Sequence, residues 1–245
     1  AIDPQGNYIV IENTANMLTK VTPGGATSTI ASGLGSPAGV AIDPQGNYIV
    51  TEYGVGRLTK VTPGGATSLI VGGLSGPNGV AIDTQGNYIV TEYLANRLTK
   101  VTPGGATSLI VGGLSGPNGV AIDPQGNYIV AEYLANRLTK ITPGGATSLI
   151  VGGLSGPIGV AIDSQGNYIV AEATAGRLTK VTPGGATSPI VGGLSSPYGV
   201  AVKMLRTVGG LLMPINKLEI LIPYLVLLGL VAASFTVAVV KRSET

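Results

Sequence analysis

The stretch GPNGVAIDPQGNYIVAEYLANRLTKITPGG, residues 116–145, decides the architecture. Nearly the same thirty residues stand at 76–105, and altered copies start at Ser36, at Gly156 and at the head of the chain. AIDPQGNYIV recurs at Ala1, Ala41 and Ala121, with AIDTQGNYIV at Ala81 and AIDSQGNYIV at Ala161, so the period is 40 residues and five units end at Val200. A period near 40 suits either a helical pair or a four-stranded propeller blade. The residues favour strands. Each unit offers GVAID, NYIVTEY, RLTKVT and TSLIVGG, separated by DPQGN, a four-residue loop after the glutamate, PGG and LSGP, which are turn signals. The longest window without Gly or Pro is rich in β-branched and aromatic residues and lacks a 3.6-residue apolar period. Four strands and four turns in 40 residues predict an all-β fold, a β-propeller with five visible blades around a central channel. Adjacent apolar residues such as Ile129 and Val130 suit blades packed on both faces.

Composition narrows the chemistry. There is no Cys, which removes disulfides, thiolate catalysis and Cys-ligated metals, and no His, which removes the commonest general base and metal ligand near neutral pH. Residues 1–200 hold nine Lys/Arg against ten Asp/Glu, and the remaining residues hold five against two. The repeat region lacks the basic stripe that nucleic acid requires, so nucleic-acid binding is excluded as an expectation.

The repeated polar residues read as structure. Asp3, Asp43, Asp83, Asp123 and Asp163 each open an Asp-x-Gln-Gly-Asn turn, where a short carboxylate accepts backbone N–H groups. Glu52, Glu92, Glu132 and Glu172 precede loops that end in Arg57, Arg97, Arg137 and Arg177, which predicts partly exposed cross-strand ion pairs of modest strength. Unit one breaks the pattern, because Met17 replaces the arginine and leaves Glu12 without it. Neither catalytic residues, nor a metal site, nor a cofactor is expected.

The units differ mainly in the loop after the glutamate and at the residue following each linking proline, Ala38, Asn78, Asn118, Ile158 and Tyr198. In a four-stranded meander both places lie on one face. The expected binding face therefore comprises Tyr53, Tyr93, Tyr133, Tyr198, Asn78, Asn118 and Glu12, tyrosine being a favoured interface residue.

The pattern PxGVAID-xxGN-YIVTEYxxNRLTKVTPGG resembles the NHL-repeat propellers, and EYxANRLTKVTPGG is also similar to streptogramin lyase-like propellers. The resemblance covers residues 1 to about 203 and implies fold more than function. Streptogramin lyases depend on a catalytic His, which this chain lacks. Lactonase-type relatives hold a divalent cation with carboxylates and Asn from unlike blades, whereas here only Asn78 and Asn118 repeat at that position.

Residues 220–240, ILIPYLVLLGLVAASFTVAVV, carry no charge and are long enough to cross a bilayer as a helix, from Ile220 to Val240, with Pro223 in its first turn. VGGLLMPINKLEILIPYLVLLGL followed by KR resembles the C-terminal anchors of archaeal surface proteins. That implies a single pass through the cytoplasmic membrane with the propeller (1–203) and a linker (204–219) outside and a short basic tail (241–245) inside. Gly229, with Ala232, Ala233 and Ser234, would allow close helix packing in a larger complex.

The expected function is a non-catalytic, membrane-anchored extracytoplasmic propeller that binds a protein or saccharide; the alternative is a metal-dependent hydrolase or lactonase at the channel mouth. The chain opens on Ala1, and PYGVAVK at 197–203 supplies an innermost strand with no further strands after it. Upstream strands completing a sixth blade are therefore expected.

Overall fold

The computed structural model describes residues 1–202 and the strand at Val237–Lys241. Unit one supplies β1 (Tyr8–Glu12), β2 (Met17–Val21) and β3 (Thr27–Ala31). Unit two supplies β4 (Pro37–Ile42), β5 (Tyr48–Glu52), β6 (Arg57–Val61) and β7 (Thr67–Val71). Unit three adds β8 (Pro77–Ile82), β9 (Tyr88–Glu92), β10 (Arg97–Val101) and β11 (Thr107–Gly112). Unit four adds β12 (Pro117–Ile122), β13 (Tyr128–Glu132), β14 (Arg137–Ile141) and β15 (Thr147–Val151). Unit five adds β16 (Pro157–Ile162), β17 (Tyr168–Glu172), β18 (Arg177–Val181) and β19 (Thr187–Val191), followed by β20 (Pro197–Val202) and β21 (Val237–Lys241). Units two to five are four-stranded antiparallel meanders, so the all-β propeller read from the repeat is what the chain builds. Among the described residues there is no helix.

The cores lie between blades. Ile129, Ala131 and Leu138 of unit four pack with Val160, Tyr168, Val170 and Val181 of unit five, and equivalent clusters join each earlier pair. The second strand of units two to five is buried along its whole length, and Ile129 and Val130 are both fully buried. A strand sandwiched on both faces needs a continuous apolar run, which explains YIV without alternation. Each fully buried Ile or Leu contributes about 2 kcal/mol.

Around the channel β4, β8, β12, β16 and β20 follow one another as inner strands, each packed on the next. They approach backbone to backbone. A Cβ at Gly119 would lie 2.4 Å from the Ile158 carbonyl oxygen, and one at Gly79 would lie 2.4 Å from that of Asn118, so the PxGV glycine is required by contact. Thr51 and Thr91 add polar ties, their hydroxyls accepting from Gly39 and Gly79 N–H and donating to the carbonyls of Asn78 and Asn118 in the next blade.

The aspartate turns are structural, as expected. All five carboxylates accept the N–H of the asparagine four residues on at 2.7–2.8 Å and its side-chain amide at 2.7–2.9 Å.

The cross-strand Glu–Arg pairs form as expected, with arginines 39–42% exposed, while their carboxylates lie deeper than a partly exposed pair implies. Register places Glu52, Glu92, Glu132 and Glu172 opposite their arginines, but the carboxylates are 0% exposed. Each takes Arg Nε on Oε1 at 2.7–2.8 Å and Nη2 on Oε2 at 2.8–3.0 Å. A threonine hydroxyl (Thr59, Thr99, Thr139 or Thr179) and one backbone N–H of the incoming linker (Gly35, Ser75, Ser115 or Ser155) complete the shell. Burial pushes these carboxyls up, and the arginine, threonine and linker hydrogen bonds outweigh it and hold them below the usual range.

The two ends of the repeat region differ from the rest. Ahead of β1 there is a single bridge, Ile2 to Tyr8, where other units have an inner strand. The innermost strand read at 197–203 with no further strands after it is β20, Pro197–Val202, and one does follow: it pairs antiparallel with β21, Gly199 opposite Val240 and Pro197 opposite Lys241. Residues 237–240 are therefore extended, not the end of a helix, and Lys241 belongs to a strand. An unpaired inner strand exposes a row of N–H and C=O groups, and the β-branched VAVV run satisfies them. The rest of the expected span, with Ile220, Pro223 and Gly229, and the expected linker 204–219 lie outside the described residues. Among the described residues no helix is long and apolar enough to cross a membrane.

Replacing Arg137 by Ala strands a buried carboxylate. The expected loss is about 2 kcal/mol at pH 7, less than for a fully enclosed pair because the guanidinium is 39% exposed and water takes part of its place. The depressed pKa of Glu132 gives the wild type a contribution that is full above the unfolded carboxyl pKa, about 4.3, and lost as pH falls through the folded value. Urea unfolding of both proteins at pH 7 and pH 3 should therefore show the gap narrowing in acid. A gap that is equal at both pH values contradicts the clamp.

Candidate functional site

The loop after each glutamate and the linker into the same blade are joined on one face. Tyr53, Tyr93, Tyr133 and Ala173 N–H groups donate to the carbonyls of Ser36, Gly76, Gly116 and Gly156 at 2.9–3.0 Å. The fourth loop position is Asn or Gly throughout, because it turns left-handed: φ is 55° at Asn16, 53° at Asn96 and Asn136, 64° at Gly56 and 60° at Gly176. Asparagine adds a clamp, since Asn16, Asn96 and Asn136 Oδ1 accept the N–H of Ser36, Gly116 and Gly156 at 2.9 Å. The variable loops are thus pinned at both ends, while their first residues are free to differ.

The first loop residues of units one to four and the residues after the linking prolines line one cavity at the channel. Tyr53, Tyr93, Tyr133, Tyr198, Asn78, Asn118 and Glu12 all line one cavity of about 980 Å³. The Tyr53 and Tyr93 rings are 6.4 Å apart between centroids and tilted by 59°. Asn78 Nδ2 points to the Tyr198 hydroxyl oxygen at 3.5 Å, a long contact across the mouth. Burial pushes the Tyr93 phenol up, and the neighbouring phenols of Tyr53, Tyr133 and Tyr198 push it further, so it stays neutral at physiological pH. Asn78 and Asn118 are 7% and 6% exposed, recessed beneath the tyrosines.

The electrostatics of the cavity are simple. Among the described residues, Glu12 is the one charged side chain in its lining. The clamped glutamates of the other units do not reach it. Among the described residues no group of three His, Cys, Asp or Glu side chains could hold a metal ion.

Two features escaped the sequence reading. Leu94, Leu134 and Val55, second or third in their loops, are 61%, 59% and 54% exposed beside the tyrosines and make the face apolar. Repeat comparison marks them as variable, but a strand pattern does not tell an exposed loop leucine from a packed one. The inter-blade ties of Thr51 and Thr91 were also missed, because they link residues 27 apart.

No family model matches the chain, and no curated protein does. Many solved structures share its fold. One is a catalytically inactive His-to-Ala variant of virginiamycin B lyase from Staphylococcus aureus with quinupristin, 17% identical, covering 82% of this chain and 72% of that one with a TM-score of 0.68. A gluconolactonase from Xanthomonas campestris is 16% identical over 81% of this chain and 76% of that one, at 0.73. A chain of the nidogen/laminin complex is 17% identical over 80% and 81%, at 0.72. At these identities the likeness is one of fold alone: this chain shares the β-propeller fold of these proteins.

Proposed function

We propose that this protein is a non-catalytic binding propeller, held at the outer side of a membrane by its C-terminal segment, which takes a protein or saccharide partner at its channel mouth. The observation that carries the reading is the convergence of four tyrosines and two asparagines, all at positions where the units differ, on one cavity, with exposed Leu94 and Leu134 following Tyr93 and Tyr133 in their loops. Large amphipathic rings of this kind provide contact area at low entropic cost. The repeat carboxylates are committed to arginine, and the chain has no histidine to take the part that a histidine plays in the inactivated lyase. The metal-dependent lactonase alternative has Glu12 as its single carboxylate in the cavity. The charge-free run at 220–240 supports anchoring, and the archaeal surface-anchor resemblance supports the outward orientation; the pairing of β21 with β20 supports a tail that folds on the propeller instead. The β20–β21 pair also supports six blade positions in the native protein.

Tyrosine fluorescence, undisturbed by tryptophan, reads ligand binding directly. A panel of neutral oligosaccharides and surface proteins should yield a ligand whose affinity falls at least about tenfold in Tyr93→Ala, with an unchanged melting temperature. Equal affinity of every ligand for wild type and variant defeats the reading, and calcium-dependent turnover of a lactone establishes the alternative.

Fractionation tests the anchor. The full chain should sediment with membranes and a chain ending at Lys203 should not; a full chain that stays soluble without detergent assigns the tail to the propeller.

A further inference from the structure

The arginine that seals each buried glutamate is not used up by it. Arg97 gives one N–H from Nε and one from Nη2 to Glu92, two of the five that a guanidinium carries, and the other three have no partner among the described residues. The glutamate is fully buried and the arginine side chain is 40% exposed, so the cation is the member of the pair that faces outward. The unused groups include the end-on pair, one N–H from each Nη, a second edge matched to the two oxygens of a carboxylate.

Arg97 lines a groove of about 200 Å³ on the rim between units two and three, which shares no lining residue with the channel cavity. Beside the arginine, β11 contributes Thr107, Ser108 and the 63% exposed Leu109, and the linker from unit two contributes Gly72 and Gly73. Gly73 turns left-handed at φ 78°, which calls for glycine. Gly72 has no such φ, and a Cβ there would meet nothing within 4 Å. Neither conformation nor packing inside the chain asks for glycine at 72, whereas the close approach of a ligand does. Unit four repeats the arrangement, with Arg137 39% and Leu149 65% exposed and a Cβ at Gly112 again meeting nothing. Units two and five depart from it, Ser32 standing in the glycine place and Pro189 in the leucine place.

We propose that the rim grooves of units three and four are neighbouring seats for the carboxylates of an acidic polysaccharide, each uronate setting its two oxygens on the free edge of Arg97 or Arg137. A uronate fits better than an acidic side chain, because its ring carries hydroxyls next to the carboxylate and the groove offers Thr107 and Ser108 as their partners. Glu92 lies behind the guanidinium and offsets part of its charge, so a single seat is weak. Two seats of one composition suit a polymer of one repeated unit, since the second contact is then intramolecular.

Calorimetric titration of the whole chain with galacturonate should show binding in the millimolar range, and galactose, which lacks the carboxylate, should bind at least about tenfold more weakly. An oligogalacturonate long enough to reach both seats should bind at least about tenfold more tightly than the monomer. Gly72→Leu fills one seat, should leave the melting temperature unchanged, and should bring the oligomer down to the monomer's affinity. Gly72→Leu combined with Gly112→Leu should abolish uronate binding. Leu109→Glu with Leu149→Glu, at exposed positions that the fold tolerates, should abolish it by repulsion. The proposal is overturned by a wild type that binds no uronate, by galactose binding as well as galacturonate, or by binding that survives either double substitution. It is also overturned by a glutamate peptide of equal charge that binds more tightly than the oligogalacturonate. Failure of these tests leaves a Tyr93-dependent ligand at the channel mouth unaffected, because the two sites share no residue.

Discussion

A carboxylate taken wholly out of water must have every lone pair satisfied, and this propeller meets that demand four times with the same four donors. Two come from the arginine that starts the third strand, one from a threonine two residues further on, and one from the linker that brings the chain in from the preceding blade. The last donor is the decisive one. It ties the hairpin inside a blade to the crossing between blades, 17 residues back along the chain. Removal of the arginine leaves the buried carboxylate short of two N–H donors, and removal of the glutamate leaves the threonine and linker donors without their acceptor, so units two to five keep the set together.

With the linkers held by the glutamates and the inner strands pressed together through the PxGV glycines, the face of the ring is fixed while its loop tips are not. Backbone bonds from linker to loop hold Tyr53, Tyr93 and Tyr133 over the channel, and the left-handed Asn or Gly closes each loop. The side chains between those anchors vary from blade to blade, as loop tips commonly do. Unit one shows the other side of this logic. Its clamp lacks the arginine, Met17 standing opposite Glu12, while Thr19 still donates to the carboxylate.

Most of the fold was legible because its signals are local: turn residues every few positions, a fixed 40-residue period, and β-rich runs between them. The tyrosine face was legible too, since which turns share a face follows from the meander. The depth of the glutamate burial was not. Glu132 and Arg137 are five residues apart and announce a pair, but the amide of Ser115 and the packing of the neighbouring blade decide that the carboxylate is enclosed. The tail was misread in part for a similar reason. VAVV suits the end of an apolar helix as well as a strand, and the choice of strand comes from the unpaired edge of β20, far away in sequence.

Amide hydrogen exchange tests the clamp most directly. The N–H groups of Ser75, Ser115 and Ser155 lie in linkers outside any strand, where an amide ordinarily exchanges fast, yet each donates to a buried carboxylate at 2.6–2.7 Å. They should exchange as slowly as the amides of β9, β13 and β17, through global unfolding. Exchange at loop rates while those strands remain protected would show that the glutamates do not hold the blades together.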